Sequence, residues 1–317
     1  NMNFQTLPPV DNAKQLLNLA FQKAREKAEG KNMRRQKDML KAIKQKESLK
    51  LDIIKDVLAS RINKILRDFP ETEKLPPFYL KLMHLTLDFP KFKRSFGAMR
   101  WVIDKVCFLQ KQYVSKINQE KNRFKIGETA KEFYGRISSV VKQVDENLKF
   151  LEESRRMMKT YPDVKEMFTV CLYGFPNVGK TTVLNKLTGT KAEVAAYAFT
   201  TKSINAGYFT LDGEKIQVLD VPGTLAREEK MNLIELQAEL VLQELANLIV
   251  FVFDLSEQGG YSIEKQEKLL KKLEKMDKSK RVLIYVSKSD LISEEELGEF
   301  KHKHFTLEEI KEQIVKH

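Results

Sequence analysis

A glycine-rich stretch, GFPNVGKTT, carries residue types that suit phosphate chemistry. Its spacing, Gly174-x-x-x-x-Gly179-Lys180-Thr181, fits the P-loop pattern in full. Glycines at these positions let backbone N–H groups converge on a β-phosphate at the start of a helix. The lysine would reach the β- and γ-phosphates, and the threonine hydroxyl would be offered to Mg²⁺. The pattern therefore predicts a site for a nucleoside triphosphate and its magnesium ion.

A second phosphate motif lies further along the chain, where IQVLDVPG ends an apolar run with Asp220-x-x-Gly223. An aspartate at this place can hold Mg²⁺ through water, and the glycine N–H can sense the γ-phosphate. Between the two motifs, YAFTTKS offers its second threonine, Thr201, as a further Mg²⁺ ligand. Loss of the γ-phosphate would release both segments, as in a nucleotide switch.

The base is predicted from SKSD at residues 287–290, which follows a short apolar run. Asp290 can accept hydrogen bonds from N1 and N2 of guanine, which adenine cannot supply. Lys288 can lay its stem along the base. The predicted nucleotide-binding residues are Gly174, Asn177, Val178, Gly179, Lys180, Thr181, Thr182, Lys288 and Asp290, and the predicted Mg²⁺ ligands are Thr181, Thr201 and Asp220.

Charge is distributed unevenly along the 317 residues. Residues 1–165 contain 36 Lys and Arg against 20 Asp and Glu, a net charge of +16. Residues 166–317 contain 20 against 24, a net charge of −4. Solubility alone would not require such segregation, so the basic half suggests a polyanionic partner, with nucleic acid ahead of an acidic protein or a membrane.

Basic residues are densest between positions 23 and 50, with eleven Lys and Arg against four acids. Two interpretations fit this segment: a solvated helix face, or a helical arm that contacts phosphate backbones and therefore binds in a salt-dependent way. The segregation of charge along the chain favours the second. The predicted RNA-binding residues are Lys31, Arg34, Arg35, Lys37, Lys41 and Lys44.

The elements that position these residues differ between the two halves of the chain. In the first half, apolar residues recur at three- and four-residue steps from Leu51 to Phe69, over about 98–120 and over about 128–159. Such long helices joined by short breaks predict an antiparallel bundle. We expect Trp101 and the Phe and Tyr residues of this half to belong to its core.

After TYPD at residues 160–163, five short apolar runs alternate with helical stretches. This alternation is typical of a mostly parallel sheet covered by helices. The sequence therefore predicts a basic helical bundle domain at 1–163 followed by an α/β P-loop domain at 164–317. We expect no signal peptide, because no charged segment leads into an apolar stretch at the start of the sequence. We expect no contact with a membrane, because the densest apolar run, Leu248 to Phe253, is far too short to span a bilayer.

The order P-loop, threonine, D-x-x-G, x-K-x-D is similar to that of the translation-factor-related GTPases, which have a Ras-like fold. GFPNVGKTT, YAFTTKSINAGYF, IQVLDVPGTLAR and DLSEQGGYSIEKQ resemble the Obg-related branch, and most closely the nucleolar GTP-binding protein family in a short, archaeal-type form. The stretches LPPVDNAKQLLNLAFQKA, LPPFYLKLMHL, SFGAMRWVIDKV and EFYGRISSVVKQVDENLKFLEE are similar to the helical N-terminal domain of that family. The resemblance covers nearly the whole chain.

The resemblance implies a GTPase that binds the precursor of the large ribosomal subunit and assists its assembly. Its helical domain would contact ribosomal RNA, its ligands would be GTP, GDP and Mg²⁺, and its location would be cytoplasmic in an archaeal-type member or nucleolar in a eukaryote. We expect a monomer off the ribosome.

Two departures from the family pattern concern the base. The guanine motif usually begins with Asn, and Ser287 keeps a hydroxyl there but loses the amide that braces the P-loop, so we expect weaker guanine binding. The family also has a sixth strand and a loop over the guanine O6. After Asp290, only LISEEELGEFKHKHF precedes a final helix at Leu307 to Val315, which leaves little room for them. Two interpretations remain: the chain has lost the strand, or the sequence omits a disordered segment.

A feature that the Obg-related branch shares concerns hydrolysis. Thr224 and Leu225 follow Gly223 where Ras-like enzymes have a glutamine that orients water, so we expect slow intrinsic turnover. Asn177 has two interpretations. It ligates K⁺ in place of an arginine finger, as in some GTPases with a G-x-P-N-x-G-K-[ST] loop, or it braces the loop by local hydrogen bonds. The predicted catalytic residues are Lys180, Thr201, Gly223 and Asn177.

Three functions remain in competition. The leading hypothesis is a GTPase switch that docks on ribosomal RNA, supported by the intact Lys180, Thr181 and Asp220. Ser287 and the absent strand favour a rival, a non-hydrolysing and nucleotide-dependent placeholder on ribosomal RNA. A GTPase acting on another RNA, such as tRNA, would keep the second domain but need a different first one.

Overall fold

The computed structural model describes residues 4–29, 39–161, 167–189, 195–199, 202–224, 233–277 and 279–316. The helices are α1 (Ala13–Glu29), α2 (Met39–Asp68), α3 (Pro77–Thr86), α4 (Phe89–Gln119), α5 (Arg123–Gln143), α6 (Asp145–Met158), α7 (Lys180–Thr188), α8 (Leu233–Glu244), α9 (Ile263–Met276), α10 (Glu294–Gly298) and α11 (Leu307–Val315). The strands are β1 (Thr169–Gly174), β2 (Ala195–Phe199), β3 (Lys202–Leu211), β4 (Glu214–Pro222), β5 (Leu248–Asp254) and β6 (Arg281–Ser287). Within the described residues, no helix combines the length and the apolar character needed to cross a membrane.

Contacts divide the chain into two compact units. The helical unit comprises residues 5–74 and 87–159, and the sheet unit comprises Phe4, residues 75–86 and the chain from 160 onward. Helix α3, which falls within the expected first domain, therefore folds with the sheet unit. There it packs on α8, where Lys81 Nζ lies 2.5 Å from Glu244 Oε1.

The helical unit is an antiparallel bundle, as predicted. The apolar stripe of α2 is buried from Leu51 to Ile65, and Phe69 is buried just beyond the helix. The direction of α4 against α2 follows from two hydrogen bonds. Lys44 Nζ donates to the carbonyl of Asn118 at 2.7 Å, and Gln110 Nε2 donates to Asp52 Oδ1 at 2.6 Å. Early residues of α2 thus meet late residues of α4.

Helix α1 runs antiparallel to α5. The Phe21 ring meets the Tyr134 ring edge-on at 5.7 Å, and the backbone N–H of Ala13 donates to Asp145 Oδ1 at 2.8 Å. The predicted third helix is two helices, because the regular helical backbone is interrupted at Val144, whose N–H bonds to Val141 three residues back. This break places Asp145 where it accepts the N–H group at the start of α1.

The prediction that the aromatic residues of the first half belong to the core is wrong at three positions. Trp101 is 43% exposed, Phe108 57% and Phe124 71%. The buried face of α4 passes through Val102, Val106 and Leu109, so Trp101 and Phe108 fall beside it. Periodicity identifies the buried face of a helix, but a bulky aromatic side chain outside that face stays in solvent.

The sheet unit contains one mostly parallel sheet at its centre, in the order β2-β3-β4-β1-β5-β6. Strand β1 pairs in parallel with β4 and β5, β5 pairs in parallel with β6, and β2, β3 and β4 form antiparallel neighbours. Every residue of β1 and β5 is buried, as expected for central parallel strands covered on both faces. Five strands correspond to the predicted runs, and β2 adds a sixth whose sequence, AAYAF, is not a continuous run of large apolar residues.

Candidate nucleotide-binding site

The glycine-rich loop joins β1 to α7, as its sequence predicts. A Cβ atom on Gly174 would lie 2.7 Å from the carbonyl oxygen of Val252, so a side chain does not fit there. Gly179 adopts the left-handed conformation at φ 96°, which glycine accepts without strain. The two glycines let the loop turn tightly between a buried strand and the first turn of α7.

Lys180, Thr181 and Asp220 converge beside this loop. Asp220 belongs to β4, whose parallel pairing with β1 places it opposite Leu172, near the carboxyl end of both strands. Thr181 Oγ1 donates to Asp220 Oδ2 at 2.7 Å, and Lys180 Nζ lies 3.9 Å from Asp220 Oδ1. The structure therefore brings Asp220 to two residues that precede it by about forty positions in the chain.

The lysine of the loop is buried at 7% exposure. Its ammonium donates to the carbonyl of Phe175 at 2.7 Å, inside the loop that would cradle the phosphates. Burial lowers the pKa of Lys180, and the carboxylate of Asp220 opposes that shift. Phosphate oxygens would replace the carbonyl as acceptors and favour the charged form.

The oxygen atoms of Thr181 and Asp220 suit a magnesium ion that keeps part of its water. Mg²⁺ takes oxygen ligands, and in nucleotide sites one or two protein oxygens share it with water and phosphate. No cluster of three or more His, Cys, Asp or Glu residues suited to a metal occurs in the described part of the chain. The donor set thus fits a metal held jointly by protein and nucleotide rather than by the protein alone.

Gly223 closes the phosphate end of the site. Its N–H donates to the carbonyl of Gly174 at 2.8 Å, and a Cβ atom here would lie 2.5 Å from Leu269 Cδ2. Thr224 donates its hydroxyl to Glu235 Oε1 on α8 at 2.8 Å. Of the remaining predicted switch residues, Thr201 lies outside the described residues, although the β2–β3 hairpin is described up to Phe199 and from Lys202.

Three further loop residues differ in how they face the site. Asn177 adopts a left-handed conformation at φ 62°, which asparagine tolerates better than most residues. Its exposed side chain forms no hydrogen bond with any described residue, so the bracing interpretation finds no bond to support it there. Val178 is fully buried and can offer only its backbone, whereas Thr182 is exposed on α7.

The base end of the site contains a residue that sequence reasoning missed, Asp254 at the end of β5. It is fully buried, and its Oδ2 lies 2.6 Å from Lys288 Nζ. Burial raises the pKa of this carboxyl group, but hydrogen bonds from Lys288, Ser256 and the N–H of Gly259 outweigh it and lower the pKa overall. Asp254 thereby fixes the lysine predicted to cover the base, while Asp290 is exposed in the short turn Ser289–Leu291.

A signal for Asp254 was present in the sequence. It follows a buried parallel strand directly, and ligands of such sheets bind at the carboxyl ends of the strands. The loop that it begins also packs against the phosphate loop, since the Tyr261 ring stacks on the Phe175 ring at 4.0 Å.

Ser287 contacts the phosphate loop through its hydroxyl, at the position where the family's asparagine would use its amide. Its Oγ lies 2.5 Å from the carbonyl oxygen of Val178 and 3.0 Å from that of Phe253, so its single proton can be donated to either. The short side chain fits because Gly179 lies beside it, where a Cβ atom would be 3.3 Å from Ser287 Cβ. A hydroxyl close to the loop thus replaces the longer amide.

The C-terminal segment forms helices α10 and α11, and no strand occurs in the described residues 291–316. The chain passes the edge of the sheet once, where the N–H of Phe305 donates to the carbonyl of Ile284 on β6 at 2.8 Å.

Of the six predicted RNA-binding residues, the structure describes two. Lys41 is exposed and Lys44 half-buried, both near the start of α2. Lys31, Arg34, Arg35 and Lys37 lie outside the described residues.

Comparison with known proteins adds independent information. A family profile described as the NOG1 N-terminal helical domain matches residues 4–165, and one described as a 50S ribosome-binding GTPase matches residues 169–288. The chain is 37% identical over 295 residues to an uncharacterized protein of Methanocaldococcus jannaschii, covering 92% of this chain and 82% of that protein. It is 32% identical over 241 residues to nucleolar GTP-binding protein 1 of Drosophila melanogaster, covering 75% of this chain.

The chain spans 37% of the length of the Drosophila protein and 38% of its Saccharomyces cerevisiae counterpart. Among solved structures, the G domain of the FeoB iron transporter of T. maritima aligns with a TM-score of 0.38 and 31% identity, covering 48% of this chain and 98% of that one. The helical profile covers more than half of the chain and the GTPase profile most of the rest. The chain therefore belongs to the nucleolar GTP-binding protein family, as a P-loop GTPase whose N-terminal helical domain is that of the family.

Proposed function

We propose that this protein is a GTP-hydrolysing switch that binds the precursor of the large ribosomal subunit through its basic helical half and assists its assembly. The observation that carries this proposal is the convergence of Lys180, Thr181 and Asp220 at the phosphate loop. The net charge of +16 in residues 1–165 supports an RNA partner, and the description of the second matching profile supports a ribosomal one. The profile and the relatives establish the family, and the subunit itself is our inference.

The residues of the site have distinct roles in this proposal. Lys180 binds the β- and γ-phosphates, and Thr181 with Asp220 holds the metal. When GTP is bound, Gly223 turns its N–H from the Gly174 carbonyl to the γ-phosphate. Magnesium, when bound, neutralises charge that develops on the transferred phosphate. Asp290 selects guanine, and Lys288, positioned by Asp254, covers the base. Thr201 completes the metal shell when GTP is bound.

Hydrolysis is slow without help, because Thr224 stands where a glutamine would orient the attacking water. Its hydroxyl is donated to Glu235. We infer that contact with the ribosomal particle accelerates the reaction. The protein is monomeric off the ribosome, and its location is that of the assembling subunit, cytoplasmic in an archaeon and nucleolar in a eukaryote.

GTP turnover with and without purified large ribosomal subunits tests this proposal. We expect slow turnover by the free protein and several-fold faster turnover with subunits. Lys180→Ala should abolish both rates, which controls for contaminating GTPases. The rival, a non-hydrolysing placeholder on ribosomal RNA, predicts no turnover in either case. Acceleration by tRNA but not by subunits would favour a GTPase of another RNA.

Asn177 supplies a second prediction about hydrolysis. Its exposed amide forms no bond with a described residue and stands in the phosphate loop, so it is available to ligate K⁺ near the phosphates. We expect several-fold faster hydrolysis in KCl than in NaCl at equal ionic strength, and loss of this difference in Asn177→Ala. Equal rates in the two salts would exclude a K⁺ role.

A further inference from the structure

One end of the helical bundle carries an exposed aromatic ring among basic residues. The end, called the bundle tip here, comprises the last turn of α1, the first turns of α2, the last turns of α4 and residues 120–131 at the start of α5. The antiparallel pairing of α2 with α4 and of α1 with α5 brings these four helix ends together. Lys41 and Lys44, two of the predicted RNA-binding residues, belong to this tip.

Phe124 is the most exposed aromatic side chain of the described residues, at 71%. It lies two positions before Ile126, the first buried residue of α5, and therefore on the opposite side of that helix from the core. No aromatic ring or cation of the described residues covers it. Most of the ring is thus exposed to solvent.

The surface next to the ring is open. Gly127 follows one turn later on the same face of α5, and a Cβ atom at that position would meet nothing within 4 Å. An open hollow is lined by Asn122, Arg123, Phe124, Gly127, Glu128 and Lys131. A flat group that stacked on Phe124 would therefore meet no side chain at position 127.

The charge around the ring is predominantly positive. Residues 120–131 carry four cations, Lys121, Arg123, Lys125 and Lys131, against the two carboxylates of Glu120 and Glu128. All four cations are exposed, and none forms an ion pair with a residue that the structure describes. Cations around an uncovered aromatic ring match the chemistry of an unpaired nucleotide, whose base stacks while its phosphates meet the cations.

We infer that the bundle tip binds an unpaired segment of RNA, with a base stacked on Phe124 and flanking phosphates on Arg123, Lys125 and Lys131. This inference rests on the proposed RNA partner. It identifies the bundle tip as the part of the helical unit that contacts RNA, and unpaired RNA as the form that it binds. A base held within a duplex stacks on its neighbours and cannot cover the ring, so the site selects single-stranded over double-stranded RNA.

Binding of labelled RNA to the full chain tests the inference. The probes are a single-stranded RNA of about 12 nucleotides and the duplex of the same length, at one fixed salt concentration. We expect Phe124→Ala to lose about 5- to 100-fold in affinity for the single strand, the range that stacking of one base provides. Affinity for the duplex should change little, and Phe124→Tyr should restore binding of the single strand.

Phe108→Ala is the matched control. Phe108 is also an exposed phenylalanine of the bundle, but the ammonium of Lys105 lies 5.3 Å from its ring centroid. Its removal should leave both affinities unchanged. A direct signal comes from Phe124→Trp combined with Trp101→Phe, which leaves one tryptophan in the chain. Its fluorescence should be quenched by the single strand and not by the duplex.

The possible failures are distinguishable. If the wild-type chain binds single-stranded RNA and Phe124→Ala binds it equally well, the stacking site is overturned while the proposed RNA partner stands. If Phe124→Ala binds RNA normally but pellets less with large subunits, the ring contacts a protein and the inference is wrong. If the wild-type chain binds neither RNA even at low salt, the proposal of an RNA partner is wrong, and the inference that rests on it is wrong as well.

Discussion

At the residue scale, Ser287 shows how the site tolerates a departure from the family pattern. The asparagine usual at this position would brace the phosphate loop by an amide, and here a buried hydroxyl within 2.5 Å of the Val178 carbonyl does so. The brace thus depends on one hydrogen bond and on the close approach that Gly179 permits.

Ser287→Ala should therefore weaken guanine nucleotide binding. Removal of the donor leaves a buried carbonyl with a poorer set of partners, which costs about 1 kcal/mol, or about fivefold in the dissociation constant for GDP. Titration calorimetry with GDP measures it. Ser289→Ala, two positions on and exposed, should bind GDP as the wild type does. Equal GDP affinity in Ser287→Ala and the wild type would show that the brace is dispensable.

The sequence predicted the residues of this site that belong to local motifs. It did not predict the contacts between residues that are far apart in the chain. Lys180, Thr181 and Asp220 were predicted because each belongs to a motif whose spacing follows from phosphate and metal geometry. The support from Asp254 and the hydroxyl brace of Ser287 were not, because each depends on a contact between strand ends separated by thirty or more residues. No local pattern reports which of two distant side chains will be close enough to bond.

At the element scale, Glu152 of α6 forms a hydrogen bond that links this helix to the segment preceding α1. Its carboxylate accepts hydrogen bonds from the N–H of Val10 at 3.0 Å, from Arg155 Nε at 2.7 Å and from Arg156 Nε at 2.9 Å. The bond from Arg155 is the main cause that lowers its pKa from 4.5 to about 2, against burial, which raises it. A carboxyl group whose pKa falls on folding stabilises the folded state at pH values at which the group is ionised.

Glu152→Gln should therefore destabilise the helical unit in a pH-dependent way. At neutral pH the loss should be about 1.5–3 kcal/mol, the scale of a hydrogen bond to a charged group. The deficit should be constant above about pH 5 and should shrink as pH falls through 4.5 toward 2, since the wild type then loses its carboxylate. Urea unfolding followed by circular dichroism measures both. The neighbouring Glu153→Gln, exposed on the same helix, should show no such deficit; a pH-independent deficit in Glu152→Gln would contradict the account.

Elements were predicted better than their packing. The boundaries of α11 and the buried stripe of α2 follow local periodicity, which is why the sequence predicts them. The break at Val144 and the membership of α3 in the sheet unit were not predicted. Both depend on partners far away in the chain, Ala13 for the turn at Asp145 and Glu244 for Lys81.

At the scale of the whole molecule, charge and chemistry are divided between the two halves of the chain. The half with net charge +16 contains the bundle tip, and the half with net charge −4 contains the phosphate site.

If the basic half binds RNA phosphates, affinity for RNA must fall steeply as salt rises, because each neutralised phosphate releases counterions. Replacement of Lys31, Arg34, Arg35 and Lys37 by alanine should reduce the slope of log affinity against log salt by about 0.7–0.9 for each phosphate that the variant no longer neutralises. The same variant should hydrolyse GTP normally in the absence of ribosomes.

Co-sedimentation with large ribosomal subunit precursors is the most direct test that this protein is a nucleotide-dependent switch that binds them. The full chain is mixed with precursors from about 50 to about 400 mM KCl, with either GDP or a non-hydrolysable GTP analogue. We expect the protein to pellet at low salt, the GTP analogue to strengthen binding relative to GDP, and rising salt to release the protein. A protein that stays in the supernatant at the lowest salt with both nucleotides would contradict it.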